Sequence, residues 1–376
     1  MNITSIQHAG DIKGKRVLTR LDLNLPIQDG NVVDDLRVQK SLQTLNYLRD
    51  AGAHIVVIAH IEGKGGVSLE PVAENLRLYF PLNFVKDFLN KDVALAAVNE
   101  MKDGDMVLFE NLRESDGEKN NDPEFAAYLA QFGDIYVNDA FSVSHREHAS
   151  IIGVPKLLPH FAGFNLIDEI EHIQKVFQPP HPFTFILGGA KFETKIPLIK
   201  KFLPRSEHIF IGGALANNFF KEHGLHVGKS LVSEGNFDLA QYKEEARLLL
   251  PTDVVVKDSA GVISTKLVNQ IKDDEVIMDV GPASIKTLGT VIETSKFILW
   301  NGPMGNYEEG FRDQTIAIAR IIAETGVEAA LGGGDTTAAV ASLNLDDDKN
   351  IFISTGGGAM LQYLLDETLP GIEALK

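Results

Sequence analysis

The feature that most constrains this chain is the repeated succession of an apolar, β-branched run and a glycine-rich turn. Five such turns follow apolar runs in the C-terminal half, at residues 188–191, 212–214, 301–303, 332–336 and 356–358. Glycine permits a tight turn or a close approach of the backbone to a ligand. A turn of this kind before a helix directs free N–H groups at an anion. The pattern therefore predicts a surface built around phosphate groups.

Composition narrows the classes of protein that fit this pattern. At 376 residues the chain is long enough for two hydrophobic cores, and 44% hydrophobic with 23% charged residues is typical of a soluble globular protein. The net charge of −17 argues against general binding to nucleic acid or anionic membranes, so anionic ligands require local basic clusters. The absence of cysteine excludes disulfides and thiolate chemistry. No secretory signal and no run of ~20 apolar residues stands out, so we expect a cytoplasmic protein.

Strand-like apolar runs alternate with helical patterns along the whole chain. Candidate strands are 16–23, 54–60, 106–111, 135–138, 183–187, 208–211, 253–256, 275–279, 296–300, 328–331 and 351–354. Candidate helices are 38–50, 69–79, 123–132, 214–223, 238–249 and 313–325. This alternation predicts an α/β fold of right-handed βαβ units with mainly parallel sheets. Ligands then bind beyond the carboxyl ends of the strands, where the glycine turns and charges fall.

A helical pattern near the middle of the chain indicates a boundary between two domains. One face of this pattern is apolar and consists of Leu166, Ile170, Ile173 and Phe177. The proline-rich segment 179–182 then forbids continuation of the helix. We therefore predict two α/β domains joined by a connecting helix at 165–180.

Polar and charged side chains cluster at the predicted strand ends of the N-terminal half. They are Asp22, Asn24, His60, Arg113, Asn138, Asp139 and Arg146, with Arg37 just before a helix. Three arginines and a histidine at one edge of a sheet would be costly without an anionic partner. Either a bound anion or acidic side chains of the protein itself could supply that partner.

Two lysines and one aspartate lie beside the glycine turns of the C-terminal half. Lys191 and Lys195 are four residues apart and share a helical face if a helix opens at Ala190. Asp335 lies inside a triple-glycine turn, well placed to reach a metal on a nucleotide. Mg²⁺ normally takes one or two protein carboxylates plus phosphate oxygens. Capping of a helix is the structural alternative for Asp335, and it is compatible with that role.

Ordered motifs over nearly the whole chain resemble those of the phosphoglycerate kinase family. In the N-terminal half they are Arg20-Leu-Asp-Leu-Asn-Leu-Pro26, Asp34-Asp-Leu-Arg37, Glu110-Asn-Leu-Arg113, and Asn138-Asp-Ala-Phe141 with His145-Arg146. In the C-terminal half they are Gly188-Gly-Ala-Lys191 with Lys195, Asp279-Val-Gly-Pro282, Trp300-Asn-Gly-Pro-Met-Gly305, Gly332-Gly-Gly-Asp-Thr336, Ser354-Thr-Gly-Gly-Gly358 and Leu369-Pro-Gly371. The number and order of these motifs make the resemblance specific.

The resemblance implies a glycolytic transferase with two doubly wound, Rossmann-like parallel-sheet domains and a hinge helix. Its reaction is the reversible transfer of the acyl phosphate of 1,3-bisphosphoglycerate to ADP, giving 3-phosphoglycerate and ATP, with Mg²⁺ as cofactor. Residues 1–164 with 359–376 would form the 3-phosphoglycerate domain, and 181–358 the nucleotide domain. The resemblance also implies a monomer that closes about its hinge for in-line transfer. Neither nucleic acid nor membrane is an expected partner.

Site residues follow from the matching motif positions. The implied substrate-binding residues are Asp22, Leu23, Asn24, Arg37, His60, Ile61, Glu62, Gly63, Arg113 and Arg146. The implied nucleotide-binding residues are Gly189, Lys191, Lys195, Gly213, Asn301, Pro303, Glu308, Gly333, Gly334, Asp335 and Thr336, with Asp335 engaging Mg²⁺ through the nucleotide phosphates. Arg37, Lys191 and Lys195 are the implied catalytic residues.

The implied chemistry agrees with the residues that are present. A carboxylate nucleophile with a reference pKa near ~4 is already ionised at neutral pH, so no general base is needed. The remaining difficulty is the approach of a charged carboxylate to a charged phosphate, which positive charge and positioning overcome. We expect Arg37 and Lys191 to supply that charge, one from each domain, so that the site is complete only after closure.

The segment 59–64 departs from the family pattern. Ala59-His-Ile-Glu-Gly-Lys64 stands where the family usually has Ser-His-Leu-Gly-Arg-Pro, so the expected arginine falls on Gly63 and Glu62 adds a negative charge. Lys64 is one residue displaced and cannot reproduce bidentate arginine contacts. Losing one charge-assisted contact costs about 1.5–3 kcal/mol, so we expect weakened 3-phosphoglycerate binding. Ser142 and Gln314 also stand where glycine is common.

Two other functions fit the sequence less well. The altered 59–66 segment is compatible with a kinase of the same fold that acts on another carboxylate or acyl phosphate. A non-catalytic nucleotide-binding protein is disfavoured because Arg37, Lys191, Lys195 and Asp335 are all present.

Overall fold

The computed structural model describes residues 3–63, 66–235, 237–340, 343 and 349–376. The chain divides into two compact units. Unit 1 runs from the N-terminus to Glu171 and includes Asp366–Lys376, and unit 2 is His172–Leu365. The sequence predicts domain limits at 164/165 and 358/359, which differ from the limits of these units and remain predictions. No helix in the described residues is long and apolar enough to cross a membrane.

Unit 1 is built on a six-stranded, entirely parallel sheet flanked by helices. Its elements are β1 Arg16–Arg20, β2 Ile27–Gln28, β3 Asn31–Val32, α1 Leu36–Asp50, β4 His54–Ile58, α2 Glu70–Leu76, β5 Asn83–Val85, α3 Lys91–Asn99, β6 Met106–Phe109, α4 Asp116–Lys119, α5 Pro123–Ala130, β7 Ile135–Asn138, β8 His160–Ala162 and α6 Phe164–Gln174. The strand order is β5-β6-β4-β1-β7-β8, and β2 and β3 form a separate two-stranded antiparallel sheet. From β1 the chain builds first toward β5 and then toward β8, so a switch point lies between β1 and β7.

Continuous burial explains why these residues form central strands. Val17 and Leu18 in β1 and Ile55–Ile58 in β4 are fully buried, as expected for strands covered by helices on both faces. Helix α1 directs Val38, Leu45 and Leu48 into the same core, at helical spacing.

Unit 2 repeats this architecture with a second parallel sheet. Its elements are β9 Phe183–Leu187, α7 Phe192–Phe202, β10 His208–Ile211, α8 Leu215–Glu222, β11 Leu248–Leu249, β12 Asp253–Lys257, β13 Ile263–Leu267, β14 Val276–Val280, α9 Pro282–Thr294, β15 Phe297–Asn301, α10 Asp313–Thr325, β16 Glu328–Gly332, α11 Gly334–Val340, β17 Ile351–Ser354 and α12 Gly357–Asp366. The parallel order is β11-β10-β9-β15-β16-β17, with the switch point between β9 and β15. The predicted α/β class with two doubly wound parallel sheets is confirmed.

One predicted element of unit 2 is wrong, and two predicted strands lie outside its parallel sheet. Residues 238–249 do not form a helix: Asp238 adopts a left-handed φ of 45°, Leu239–Tyr242 form a 3-10 turn, and β11 pairs with β10. Here tertiary strand pairing overrides helix-favouring residues. The strands β12 and β14 do not join the parallel sheet, because each pairs antiparallel in the three-stranded sheet β13-β12-β14.

The start of α6 is held by a residue from the end of β7. Asp139 is fully buried, and its Oδ1 accepts the N–H of Leu166 at 3.1 Å. The side chain of Asn165 donates to the carbonyl of Asp139 at 3.3 Å. Burial raises the pKa of Asp139 to about 7, although hydrogen bonds to the carboxylate oppose the shift. The first turn of α6 is therefore tied to the carboxyl edge of the unit 1 sheet.

The last residues of the chain return to unit 1. The final helix, α13 Pro370–Glu373, buries Ile372, and the N–H of Gly371 donates to the carbonyl of Ser144 at 2.8 Å. Of the segment 359–376 assigned from sequence to the first domain, Asp366–Lys376 groups with unit 1. The preceding part belongs to α12, whose Met360, Tyr363 and Leu364 are buried.

Short helical turns complete the described structure. The 3-10 turns are Ile6–His8, Leu112–Glu114, Phe141–Val143, Val154–Lys156, Lys175–Phe177, Leu203–Arg205, Leu239–Tyr242, Val268–Gln270 and Tyr307–Glu309, and Ala149–Gly153 is π-helical.

Candidate active site

The predicted sugar-acid residues of unit 1 follow the carboxyl ends of its central strands. Asp22 and Asn24 come after β1, His60 after β4 and Arg113 after β6, while Arg146 follows a turn beyond β7. Because these strands are adjacent and parallel, their carboxyl ends meet at one edge of the sheet. The structure thus brings the predicted residues to one face of unit 1.

Arg37 lies in the first turn of α1 and is oriented by the loop after β1. Its Nη1 donates to Oδ1 of Asp22 at 3.2 Å and to the carbonyl of Asn24 at 2.6 Å. Asp22 is 3% exposed, and its Oδ2 accepts the hydroxyl of Ser142 at 2.5 Å. The Arg37 side chain keeps 29% of its surface exposed. The guanidinium is therefore positioned by the protein, on a side chain that remains partly exposed.

His60 is held as a neutral donor by a buried arginine that the sequence analysis did not select. Nη2 of Arg20 lies 2.9 Å from Nδ1 of His60, and both residues are almost completely buried. Burial lowers the pKa of His60, and the charges of Arg20, Arg113 and Arg146 lower it further. Because arginine can only donate, Nδ1 accepts and the proton of the neutral ring resides on Nε2.

The hydroxyl of Ser150 links Arg20 to the buried carboxylate of Glu118 through two hydrogen bonds. Nε of Arg20 donates to Oγ of Ser150 at 2.9 Å, and that hydroxyl donates to Oε1 of Glu118 at 2.6 Å. Glu118 is fully buried and also accepts the N–H of Ser150. Arg20 occurs within a motif used to recognise the family, but His60 and Ser150, which its side chain contacts, lie too far along the chain for sequence reasoning to find them.

Glu62 bridges the two outer arginines of the cluster. Its Oε1 lies 3.0 Å from Nη1 of Arg113 and 3.0 Å from Nη1 of Arg146. Burial alone would raise the pKa of Glu62, but hydrogen bonds and charge from Arg146 and Arg113 outweigh it and lower that pKa. The carboxylate of Glu62 therefore acts as the anionic partner of Arg113 and Arg146. The sequence left open whether a bound anion or an acidic side chain of the protein would do this, and for these two arginines it is an acidic side chain.

The remaining predicted residues of unit 1 lie in the loops around this cluster. Leu23 and Ile61 are buried, and the main chain of Ile61 is bonded to the side chain of Asn111. A Cβ built on Gly63 would lie 2.0 Å from Cγ2 of Val67, so an arginine at this position requires Val67 to move. Lys64, considered as a substitute for the missing arginine, lies outside the described residues.

Glycine turns in unit 2 approach one another too closely for any side chain. Gly189, Gly213, Gly302 and Gly333 all adopt positive φ. A Cβ on Gly302 would lie 2.3 Å from the carbonyl oxygen of Gly188, and one on Gly213 would lie 2.5 Å from the amide nitrogen of Gly189. The turns after β9, β10 and β15 therefore form a cradle of packed backbone.

One ammonium group lies in this cradle. Lys195 is 5% exposed, and its Nζ donates to the carbonyl of Gly188. Burial lowers the pKa of Lys195 to about 8, with the charge of Lys191 adding to the shift and that of Asp335 opposing it. Helix α7 begins at Phe192 and not at Ala190, so the condition for Lys191 and Lys195 to share a helical face is not met, and Lys191 is the exposed residue directly before the first turn.

The other predicted nucleotide residues surround the same turns. Oγ1 of Thr336 accepts the N–H of Gly302 at 3.0 Å, and the carbonyl of Pro303 accepts the N–H of Gly189 at 2.8 Å. Asn301 is buried at the end of β15, and no described residue accepts a hydrogen bond from its Nδ2. Gly334 and Asp335 are exposed and open α11, and Glu308 is exposed in a 3-10 turn.

A cavity of about 330 Å³ joins these residues to an apolar wall. It is lined by Gly189, Gly213, Pro303, Glu308 and Asp335 from the predicted set. Its other lining includes Leu231, Val276, Ile277, Met278 and Met304, which the sequence analysis missed. Leu231 is 59% exposed, so it presents an apolar side chain at the surface of this cavity. The cavity combines polar backbone and charge at one side with an apolar surface at the other.

Asp335 fits the role of a single protein ligand to a nucleotide-borne metal. Its carboxylate lies at the start of α11, lines the cavity and acts electrostatically on Lys195. Among the described residues no three metal-ligating side chains of the His, Cys, Asp and Glu type cluster together. The donor set therefore suits a Mg²⁺ ion that takes most of its oxygens from phosphate and water.

Comparison with known proteins identifies the family to which this chain belongs. Residues 6–367 match the family model of phosphoglycerate kinase. The chain is 41% identical to a phosphoglycerate kinase of Thermosynechococcus vestitus over 98% of this chain and 97% of the relative. It is 38% identical to one from a Wolbachia strain of Drosophila simulans, over 100% and 99% of the two chains.

Solved structures agree with these sequence relatives. The structure of phosphoglycerate kinase from Coxiella burnetii superposes with a TM-score of 0.83 at 32% identity, covering 99% of this chain and 98% of its own. The enzyme from Pyrococcus horikoshii gives a TM-score of 0.86 at 28% identity, with the same coverage. The chain belongs to the phosphoglycerate kinase family.

Proposed function

We propose that this protein catalyses the reversible transfer of the acyl phosphate of 1,3-bisphosphoglycerate to ADP, giving 3-phosphoglycerate and ATP. Unit 1 binds the sugar acid through Arg37, His60, Arg113 and Arg146. Unit 2 binds the nucleotide in the cavity beside the glycine cradle. The observation that supports this assignment is a group of arginines at the carboxyl ends of one parallel sheet and a glycine cradle with Lys195 at those of the other, in a chain of this family.

The unit 2 cavity matches the parts of a nucleotide. Its apolar wall, which includes Val276 and Met278, suits a purine ring, and exposed Glu308 suits a ribose hydroxyl. The turns at 188–189 and 333–336 and the ammonium of Lys195 suit the phosphates. Mg²⁺, held by Asp335 and the phosphates, would supply positive charge to the transferring group.

The unit 1 site matches a phosphorylated carboxylic acid. His60, neutral and protonated on Nε2, donates a hydrogen bond without needing to lose a proton. Arg37 is held by Asp22 and the carbonyl of Asn24, so its charge has a fixed direction. A carboxylate nucleophile is ionised at neutral pH, and the residues of this site therefore act by orientation and charge rather than by proton transfer.

Transfer requires the two ligands to come together. We propose that the units close about the segment that contains α6, so that Arg37 and Lys191 both contribute charge to the transferring phosphoryl group. We further propose that the enzyme acts in the cytoplasm as a monomer.

A coupled assay of ATP consumption tests this function. ADP should form only when 3-phosphoglycerate is present, with saturation in both substrates. The same rate without 3-phosphoglycerate, or no reaction with it, would refute the proposal.

One structural observation favours a second candidate function, a kinase that acts on a different carboxylate. Glu62 occupies Arg113 and Arg146, and Gly63 leaves no side chain at the position of the expected arginine. A kinase for a different carboxylate would share all other features of the site. Testing a panel of phosphorylated and unphosphorylated carboxylates in the same assay separates the two, since only the alternative predicts a better substrate than 3-phosphoglycerate.

A further inference from the structure

The contact between Glu62 and the outer arginines has the geometry of a bound anion. One carboxylate oxygen lies 3.0 Å from Nη1 of each arginine, forming an ion pair with Arg113 and accepting a hydrogen bond from Arg146, in the manner of a phosphate or carboxylate ligand. Arg113 is not fully satisfied by this arrangement, because its Nε is buried and has no hydrogen-bond partner within the part of the chain that the structure describes. The arginine pair thus retains capacity for an anion with more oxygens than Glu62 presents.

The main chain holds Glu62 in front of the arginines. Its N–H donates to Oδ1 of Asn24 at 2.9 Å. Asn111 fixes both ends of the surrounding segment, since its Nδ2 donates to the carbonyls of Ile61 at 2.9 Å and Val67 at 2.8 Å. The side chain of Glu62 itself is 47% exposed, so its carboxylate can turn into water while the backbone stays in place.

We infer that Glu62 is an internal competitor that occupies Arg113 and Arg146 until the phosphate of a substrate displaces it. This inference rests on the proposed function and assigns the Glu62 side chain a role opposite to substrate binding. A phosphate monoester carries up to two charges and three acceptor oxygens, whereas Glu62 carries one charge. A phosphate therefore binds the two arginines more strongly than Glu62 does and displaces it. An anion with a single charge binds them about as strongly as Glu62 and has little advantage over it. Glu62 makes the arginine pair selective for phosphate at the expense of affinity.

Neutralising Glu62 tests the inference. We expect Glu62→Gln to lower KM for 3-phosphoglycerate about tenfold, because an amide competes poorly for two guanidinium groups. Since the competitor acts on binding and not on transfer, kcat and KM for ATP should change less than about twofold. Glu74→Gln provides the matched control, because Glu74 pairs with Arg77 in the same unit at an exposed position away from the cluster.

Calorimetric titration with 3-phosphoglycerate separates this inference from the proposed function. Tighter binding by Glu62→Gln, with wild-type affinity in Glu74→Gln, supports displacement even in the absence of turnover. Normal wild-type turnover with unchanged or weaker 3-phosphoglycerate binding in Glu62→Gln overturns the inference and leaves the function standing. Glu62→Ala, checked for folding by circular dichroism, should show the same direction and excludes an effect peculiar to glutamine.

Discussion

In unit 1 the predicted sugar-acid site consists of charged side chains that bond one another, whereas in unit 2 the predicted nucleotide site consists mainly of backbone turns around one lysine. Asp22 holds Arg37 and Glu62 holds Arg113, so the unit 1 charges are compensated before a ligand arrives. Gly302 and Gly213 of unit 2 are constrained by the backbone that faces them. Side-chain sites can be retuned by exchanging one partner, but a packed backbone tolerates almost no substitution.

The largest effect should come from the oriented charge in unit 1. Arg37→Ala should lower kcat by at least about 10²-fold with folding intact, since a positioned arginine can contribute about 10³–10⁵ in phosphoryl transfer. Steady-state kinetics and circular dichroism measure the two properties. Arg49→Ala is the control, because Arg49 is an exposed arginine of the same helix paired with its neighbour Asp50. Near-normal turnover in Arg37→Ala would remove Arg37 from the mechanism.

The second largest loss of activity should come from a substitution in the packed backbone of unit 2. Gly302→Ala places a Cβ against the carbonyl of Gly188 and on a residue with φ of 95°, so the cradle must shift. We expect kcat/KM for ATP to fall about 10²-fold, the cost of displacing a site by roughly 1 Å.

Gly310→Ala separates packing from backbone strain in that experiment. Gly310 has a similar φ of 87°, but nothing lies within 4 Å of a Cβ built there. If both variants lose activity equally, close approach is not what the cradle requires.

The smallest effect should appear in the pH dependence of nucleotide binding. Lys195, with a pKa of about 8, is charged below that pH and neutral above it. The Kd for ADP should therefore be lowest below pH 8 and rise by at most about tenfold per pH unit above it. Titrations from pH 6.5 to 9.5 test this dependence, and Lys195→Met should flatten the profile. A wild-type profile that is flat to pH 9.5 would show that the charge of Lys195 does not bind nucleotide.

The two sites also differ in how far the sequence predicts them. Glycine turns after apolar runs are local patterns, and the sequence located those at Gly188–Gly189 and Gly332–Thr336 without knowledge of their partners. The pairings of unit 1 join distant residues: Glu62 and Arg146 are 84 positions apart. No local pattern indicates that these two side chains meet, and the sequence predicted only that charges gather at one sheet edge.

The same distinction explains the one wrong helix and the part of the fold that the sequence did not predict. Strong periodicity placed α10 at the limits that the structure shows, Asp313–Thr325. The segment 238–249 was misassigned because its final leucines pair with Ile209 and Phe210, an interaction between residues about 40 positions apart. The alternation of strands and helices along the chain likewise did not predict that β12 pairs antiparallel with β13.

Binding measured separately for each ligand tests the central claim most directly, namely that the two units hold different halves of the reaction. Calorimetry with 3-phosphoglycerate and with ADP should be carried out on Arg113→Met and Lys195→Met. We predict that Arg113→Met loses affinity for 3-phosphoglycerate alone, by about 10–100-fold, and that Lys195→Met loses affinity for ADP alone. Loss of the opposite ligand in either folded variant would contradict the account.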